Sequence, residues 1–568
     1  MLESPPLEGP SREGPSFEKY NNKEATVGVG NVSGIEILEQ SGAHNAIDRV
    51  STGIAAFVGR TLKGPINRPV LVASFAEFQQ FFGGLWQPST LSYAVEQFFE
   101  NGGASAYIVR VVNGARPPSL TLPAGRAQLK LIALNPGSRE YVRASVDYDG
   151  IGENEPDRFN LVLQRVRTAG SELIEDQEIF RRLSVQEESG RFATDALLES
   201  QLARVAGPMP AERPDRSAAS AGSLAIGYSH SNADGDDGAP LTDYDIIGSA
   251  AEATGVFALK SVASFNLLCI PPLTRNQDVG LGTLLIAARF CAEQNALLVV
   301  DPPRAWSSSH IVLQALHDWP LRNENAVMYY PRVLALDRLR GRLETFGSCG
   351  AAAGMIARCD ETWPVWARAE NEDTVLRPGL RPAVMVSEPE RARLMHAGVN
   401  TLLAVRSSGP SGVSPRTLAA GNAGAADWKY LSARRLALFI IASIERGTRW
   451  LLFEAENREA WQRAKTQVQT FLEQLNQQGA FAGCEPHEGY FAICDERVNE
   501  PQTLAAGKVK LLFGFAITKP CDFHAFLVTH QADASRCRSV SASRFATAPD
   551  RLEWEIETAV LRGTSAEI

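Results

Sequence analysis

Residues 51–112 read STGIAAFVGRTLKGPINRPVLVASFAEFQQFFGGLWQPSTLSYAVEQFFENGGASAYIVRVV. The apolar run Ile54–Gly59 reads as a buried strand. Ser74 followed by Glu77 supplies a capping box for a helix that carries Phe75, Phe78 and Phe82 on one face. A second helix places Leu91, Ala94, Val95, Phe98 and Phe99 at i, i+3, i+4, i+7 and i+8, and stops at Gly102-Gly103. Ala106–Val112 is the next strand. Strand, helix, helix, strand at this spacing predicts α/β layering.

Working outward, residues 1–24 are poor in β-branched and aromatic residues and are expected to be mobile, and Thr26–Glu39 is extended in character. Beyond Pro117 the texture becomes β-rich, with alternating runs at Gln128–Leu134 and Phe159–Arg167, and Gly207–Gly238 reads as loop. α/β texture returns with Phe265–Ile270, a helix around Leu281–Gln294, and strands Ala296–Val300 and Val327–Tyr330. Two further helices run over about Ala433–Arg446 and from Asn457 as N-cap to Gly479. The second carries Trp461, Ala464, Val468, Phe471, Leu472 and Leu475 on one face and a polar face of Arg458, Gln462, Lys465, Thr466 and Gln469. Strands are expected at Tyr490–Ile493, Val509–Ile517 and Phe523–Thr529.

The chain therefore reads as a multidomain α/β and α+β protein with a discontinuous α/β core. Expected units are a mobile N-terminus and extended arm (1–50), a first core part (51–115), an inserted β-rich surface domain (116–242), a second core part (243–425), an α+β C-terminal domain (426–530) and a C-terminal extension (531–568). With 568 residues, 44% of them hydrophobic, disorder and a small disulfide scaffold are excluded. Fifty-six Lys and Arg against 65 Asp and Glu give −9, with no basic stretch, which argues against a nucleic-acid or anionic-membrane partner. The longest apolar run, Leu436–Ile444, is too short to span a bilayer, so no membrane insertion is expected. A polar N-terminus without an apolar core predicts no secretory signal, and eight scattered cysteines fit synthesis in a reducing cytoplasm.

Few residue patterns in the chain carry recognisable chemistry. Gly59-x-x-x-x-Gly64 resembles a phosphate loop, but Pro65 stands where the lysine must be. Gly28-x-Gly30 lacks a strand-to-helix setting. Cys521, His524, His530 and Cys537 form a ligand set that zinc would accept. On a single strand, however, residues 524 and 530 lie ~20 Å apart, so no metal is expected. Asp301 at a strand's carboxyl end is where α/β enzymes place catalytic groups, yet Asp301-Pro302-Pro303 also simply ends a strand, and that reading is preferred. No catalytic residue and no cofactor are assigned.

Several blocks in one order resemble contractile tail sheath proteins. They are Ser51–Arg60, Lys63–Pro69, Phe75–Leu85, Ala94–Gly103 running into Ala106–Val111, and Asp243–Gly255. Phe265–Pro271, Val299–Pro303 and Tyr329–Arg332 follow, then Arg434–Trp450, Phe453-Glu454, Gly479–Phe481, Cys494-Asp495 and Pro520-x-x-Phe523. The resemblance covers roughly residues 33–530. Where the family usually has Pro-Gly-Val-Tyr, this chain has Ser33-Gly34-Ile35-Glu36.

The resemblance implies a non-enzymatic subunit of a phage tail or phage-tail-like injection system. Such a subunit polymerises helically with its own copies around an inner tube protein and contracts to drive that tube through a target envelope. Baseplate and tail-terminator components are the further implied partners. The subunit would be made in the bacterial cytoplasm and incorporated into the particle. Terminal arms add strands to neighbours, which points to Ile35, Ile37, Phe523 and Leu527 as inter-subunit strand residues, and the family's C-terminal-domain helix that faces the tube through charge complementarity points to Arg458 and Lys465 as tube-facing. The competing classes are an α/β hydrolase-like enzyme using Asp301, and a baseplate or tail-end component built on the same fold.

Overall fold

A computed structural model describes residues 46–217, 227–367, 375–403, 414–420, 428–483, 485–520, 522–532 and 535–540. Among them the first core segment carries β1 (Ala55–Gly59), β2 (Val70–Val72), α1 (Phe75–Phe82), α2 (Thr90–Glu100) and β3 (Ala106–Arg110). Ser74 caps α1 by accepting the Glu77 N–H at 3.2 Å, and Gly83 ends it in the left-handed region at φ 88°.

The inserted segment holds β4 (Ser119–Ala124), β5 (Ala127–Ala133), β6 (Tyr141–Asp147), β7 (Arg158–Val166), β8 (Ile174–Ser184), β9 (Ala203–Val205) and β10 (Ser229–His230). They form two sheets, ordered β10-β6-β7-β8 and β4-β5-β9. Leu120, Leu129 and Leu131 from one sheet meet Phe159, Leu161 and Leu163 from the other in a single apolar cluster. Where the chain leaves and re-enters the core, Asn113 pairs with Ala239 and Arg116 with Asp236, antiparallel.

The second core segment adds β11 (Leu267–Cys269), α3 (Leu281–Glu293), β12 (Leu297–Val300), α4 (Ser309–His317), β13 (Ala326–Tyr330), the hairpin β14 (Val333–Asp337) and β15 (Arg342–Phe346), α5 (Cys349–Thr362), β16 (Arg381–Pro382), α6 (Glu388–His396) and β17 (Asn400–Thr401). The central sheet is ordered β17-β13-β12-β11-β1-β3-β2, parallel except for β2. Strand alternation divides the sheet between two cores. Phe57 points with Phe78, Val95 and Phe98 toward α1, α2 and α5, while Ala56 and Val58 face α3, α4 and α6. Burying a phenylalanine such as Phe98 contributes about 2–3 kcal/mol.

The C-terminal domain is α7 (Leu431–Gly447), α8 (Arg458–Gln477) and the antiparallel sheet β18 (Tyr490–Ile493), β19 (Val509–Ala516), β20 (Phe523–His530) and β21 (Ser535–Val540), in that order. Leu436, Ile440, Trp461 and Phe471 pack on Phe513, Phe515, Phe526 and Val528. Leu512, Ala525 and Leu527 form a smaller cluster on the far face.

Three expectations need correction. The strand beginning at Phe523 does not leave the subunit: β20 is paired along its length by β19 on one side and over Ala525–His530 by β21 on the other, and Phe523 and Leu527 are buried. A free edge strand and an inner strand share the same alternation, so sequence could not separate them. The C-terminal domain also continues past residue 530, because β21 lies within the stretch expected to be an extension. At the other end, Ile47 and Val50 are buried against α7, so residues 46–50 pack with the C-terminal domain.

Candidate functional site

Asp301 follows β12, and its Oδ1 accepts the Ser348 and Cys349 backbone N–H groups at 2.5 and 2.7 Å. These groups open α5, where free donors and the helix dipole favour a carboxylate. Burial pushes the Asp301 carboxyl up, against the pull of Arg332 and these hydrogen bonds. The cavity beside it measures about 20 Å³, the space of one water. Its geometry is that of a helix cap.

Of the four sulfur and nitrogen candidates, His524, His530 and Cys537 lie among the described residues and each has its own surroundings. His530 is fully buried on β20, with Nε2 2.8 Å from Thr448 Oγ1 and Nδ1 2.7 Å from Ser535 Oγ. Burial, with the charge of Arg449, lowers its pKa to about 4. His524 lies against the Trp428 ring, 4.4 Å between centroids, and Cys537 sits on β21 opposite Val528. Cys521 lies outside the described residues. Among the described residues no group of three or more His, Cys, Asp or Glu is placed to hold a metal. In the loop after β1, Arg110 Nη1 donates to the Gly64 carbonyl at 2.6 Å, so a protein cation already occupies that turn.

The C-terminal domain presents an exposed helix face and two sheet edges. Helix α8 starts at Asn457, whose side chain accepts the Glu459 N–H at 3.0 Å. Its apolar stripe from Ala460 to Leu475 is buried, while Arg458, Gln462, Thr466 and Gln469 are exposed. Arg458 pairs with Glu496 at 2.6 Å, both more than half exposed. Lys465 is only half-buried. Burial acts to raise the neighbouring Asp495 carboxyl, but hydrogen bonds from Arg497 and the charges of Arg497 and Lys465 outweigh it and hold it below the usual range.

The adjoining sheet has two outer strands, β18 and β21, each paired on one side only among the described residues. Such edges present free N–H and C=O groups to an added strand. On β21, Arg536 and Arg538 are exposed, a feature that discourages indiscriminate pairing. Ile35 and Ile37 lie outside the described residues. Sequence reading missed β21 as a strand because SRCRSV carries no apolar alternation strong enough to read.

Residues 425–531 match the family model described as the phage tail sheath C-terminal domain. No curated protein matches the chain. Among solved structures, the sheath tail protein from Listeria innocua is similar with a TM-score of 0.56 at 10% identity, over 87% of this chain and 98% of that one. A sheath tail protein from Desulfitobacterium hafniense gives a TM-score of 0.47 at 12% identity, over 88% of this chain and 100% of that one. The contracted PVC sheath complex of an extracellular contractile injection system gives 0.48 at 15% identity, over 87% and 96%. The chain thus has the fold of a tail sheath protein. Its C-terminal region is similar to the phage tail sheath C-terminal domain.

Proposed function

We propose that the chain is the structural subunit of a contractile tail sheath, polymerising helically around an inner tube and shortening to drive that tube through a target envelope. The observation that supports this most is the sheath-domain match at residues 425–531 within a chain whose described residues adopt the sheath fold. Function then lies in surfaces. A heterologous contact repeated by every copy generates a helix, and the outer edges of the C-terminal sheet suit a strand donated by a neighbour, for which the segment around Ile35 and Ile37 is the candidate. The inner tube, the baseplate and the terminator are the remaining partners, the chain is made in the bacterial cytoplasm, and no catalysis is involved. No described helix is long and apolar enough to cross a membrane. Electron microscopy of the full chain co-produced with its tube protein tests the reading. Tubes or stacked rings are expected. Discrete particles that never polymerise with the tube present would overturn it.

A further inference from the structure

Between the α/β core and the inserted domain lies a cleft of about 480 Å³, within the size range of small-molecule sites. Lys63 and Gln79 line its core wall, and Arg139, Tyr141, Arg167 and Glu175 line the wall of the inserted domain. Its charge is one-sided. Lys63 and Glu175 form an ion pair with side chains only 9% and 7% exposed, so those two charges offset each other. Arg167 reaches the other Glu175 oxygen at 3.6 Å yet stays 59% exposed. Arg139 is exposed and has no carboxylate partner among the described residues. Three cations and one carboxylate leave a net charge of +2 in a concave space, against the chain's overall −9.

Low-dielectric walls focus the field of such charges, and guanidinium forks match phosphate and carboxylate geometry. We propose that this cleft binds a small polyanion, a phosphate- or carboxylate-bearing molecule, which clamps the inserted domain onto the core by bridging Gln79 on the core wall to Arg139 and Arg167 on the other. The inference goes beyond the sheath reading and does not depend on it.

Isothermal titration of the full chain at low salt, with inorganic pyrophosphate and separately with citrate, tests it. Saturable binding of at least one is expected. Pyrophosphate alone assigns phosphate chemistry, citrate alone assigns carboxylate chemistry, and binding of both assigns a site that reads charge. The double substitution Arg139→Ala/Arg167→Ala is expected to weaken binding at least tenfold. Arg289→Ala, on the exposed face of α3, should leave it unchanged. Glu175→Gln should tighten it several-fold by removing the competing carboxylate. Hydrogen exchange should slow on both walls, in α1 and in β6. No saturable heat from either anion at low salt, or binding untouched by the arginine substitutions, would overturn the site, and protection of one wall alone would overturn the clamp.

Discussion

The Arg435 guanidinium on α7 grips the Asp360 carboxylate on α5 in a two-pronged ion pair, Nη1 lying 2.6 Å from Oδ1, while Nη2 also donates to the Thr52 carbonyl at 3.0 Å. The two side chains are only 11% and 6% exposed. One cation thereby fastens the C-terminal domain to a core helix and to the segment leading into β1. Removing one partner of a buried pair strands the other. Arg435→Met should cost about 3–5 kcal/mol in urea unfolding, and Arg435→Met combined with Asp360→Leu should recover most of that loss. A single variant as stable as the parent would contradict the assignment.

His530 makes stability depend on acid. The folded chain holds the imidazole neutral down to about pH 4, whereas an unfolded histidine takes up a proton near pH 6.5. The unfolded state therefore binds more protons between those values, and stability falls as pH drops from about 6.5 to about 4, then levels off. The drop attributable to this residue is at most about 3 kcal/mol. Urea midpoints at pH 7 and pH 4.5 should show it in the parent, and His530→Gln should remove that share. Equal pH sensitivity in both chains would refute it.

The contact between α2 and α5 tolerates no added atom at Gly350. A Cβ there would sit 2.0 Å from the Ala94 carbonyl oxygen, and one at Gly354 2.3 Å from that of Phe98. Gly350→Ala should destabilise by about 1–3 kcal/mol or more through forced separation of the helices. Gly282→Ala, with open space around it, should be neutral or stabilising by up to about 1 kcal/mol. Thermal melts of the two variants provide the comparison.

Deleting residues 1–40 should leave a folded, soluble subunit that cannot polymerise. Ile47 and Val50, which complete the packing on α7, remain in the shortened chain, so its fold is retained. Circular dichroism and sedimentation distinguish the outcomes. Misfolding, or full-length sheaths built by the truncated chain, would refute the arm.

Reversing Arg458 and Lys465 to glutamate should weaken tube-dependent assembly and its salt sensitivity. Arg458 stands on the exposed face of α8 and should contribute more than Lys465, which is half-buried near Asp495. Co-assembly unchanged at low salt would count against the helix as the tube-facing element.

Periodicity made α1, α2 and α8 legible, because each sets large apolar side chains on one face, and α7 shows as a long apolar run that is buried on most sides. α5 was not legible. Its sequence CGAAAGMIARCDET buries small residues, so hydrophobic amplitude is low, and its place depends on the close approach at Gly350 and Gly354. The hairpin of β14 and β15 escaped for a related reason: its outward face keeps Leu336 and Leu343 exposed, which blurs the inside–outside alternation. Asp301 was read correctly as a strand terminus, but its tie to the first N–H groups of α5 joins residues 47 positions apart and has no local signature. The cleft is harder still, since Lys63, Gln79, Arg139 and Arg167 meet only after the insertion has folded back on the core.

The paired threads at the root of the inserted domain, Asn113 with Ala239 and Arg116 with Asp236, bring two points more than a hundred residues apart within one backbone hydrogen bond of each other. Arg60 reinforces the junction by donating to the carbonyls of Asp237 and Gly238 at 2.8 and 2.7 Å. The core therefore experiences that whole module as though it were a tight turn. A shorter link of the same root spacing is expected to leave the path of the central sheet in place, at the loss of the buried Lys63–Glu175 pair and of the Arg110 hydrogen bond to the Pro136 carbonyl.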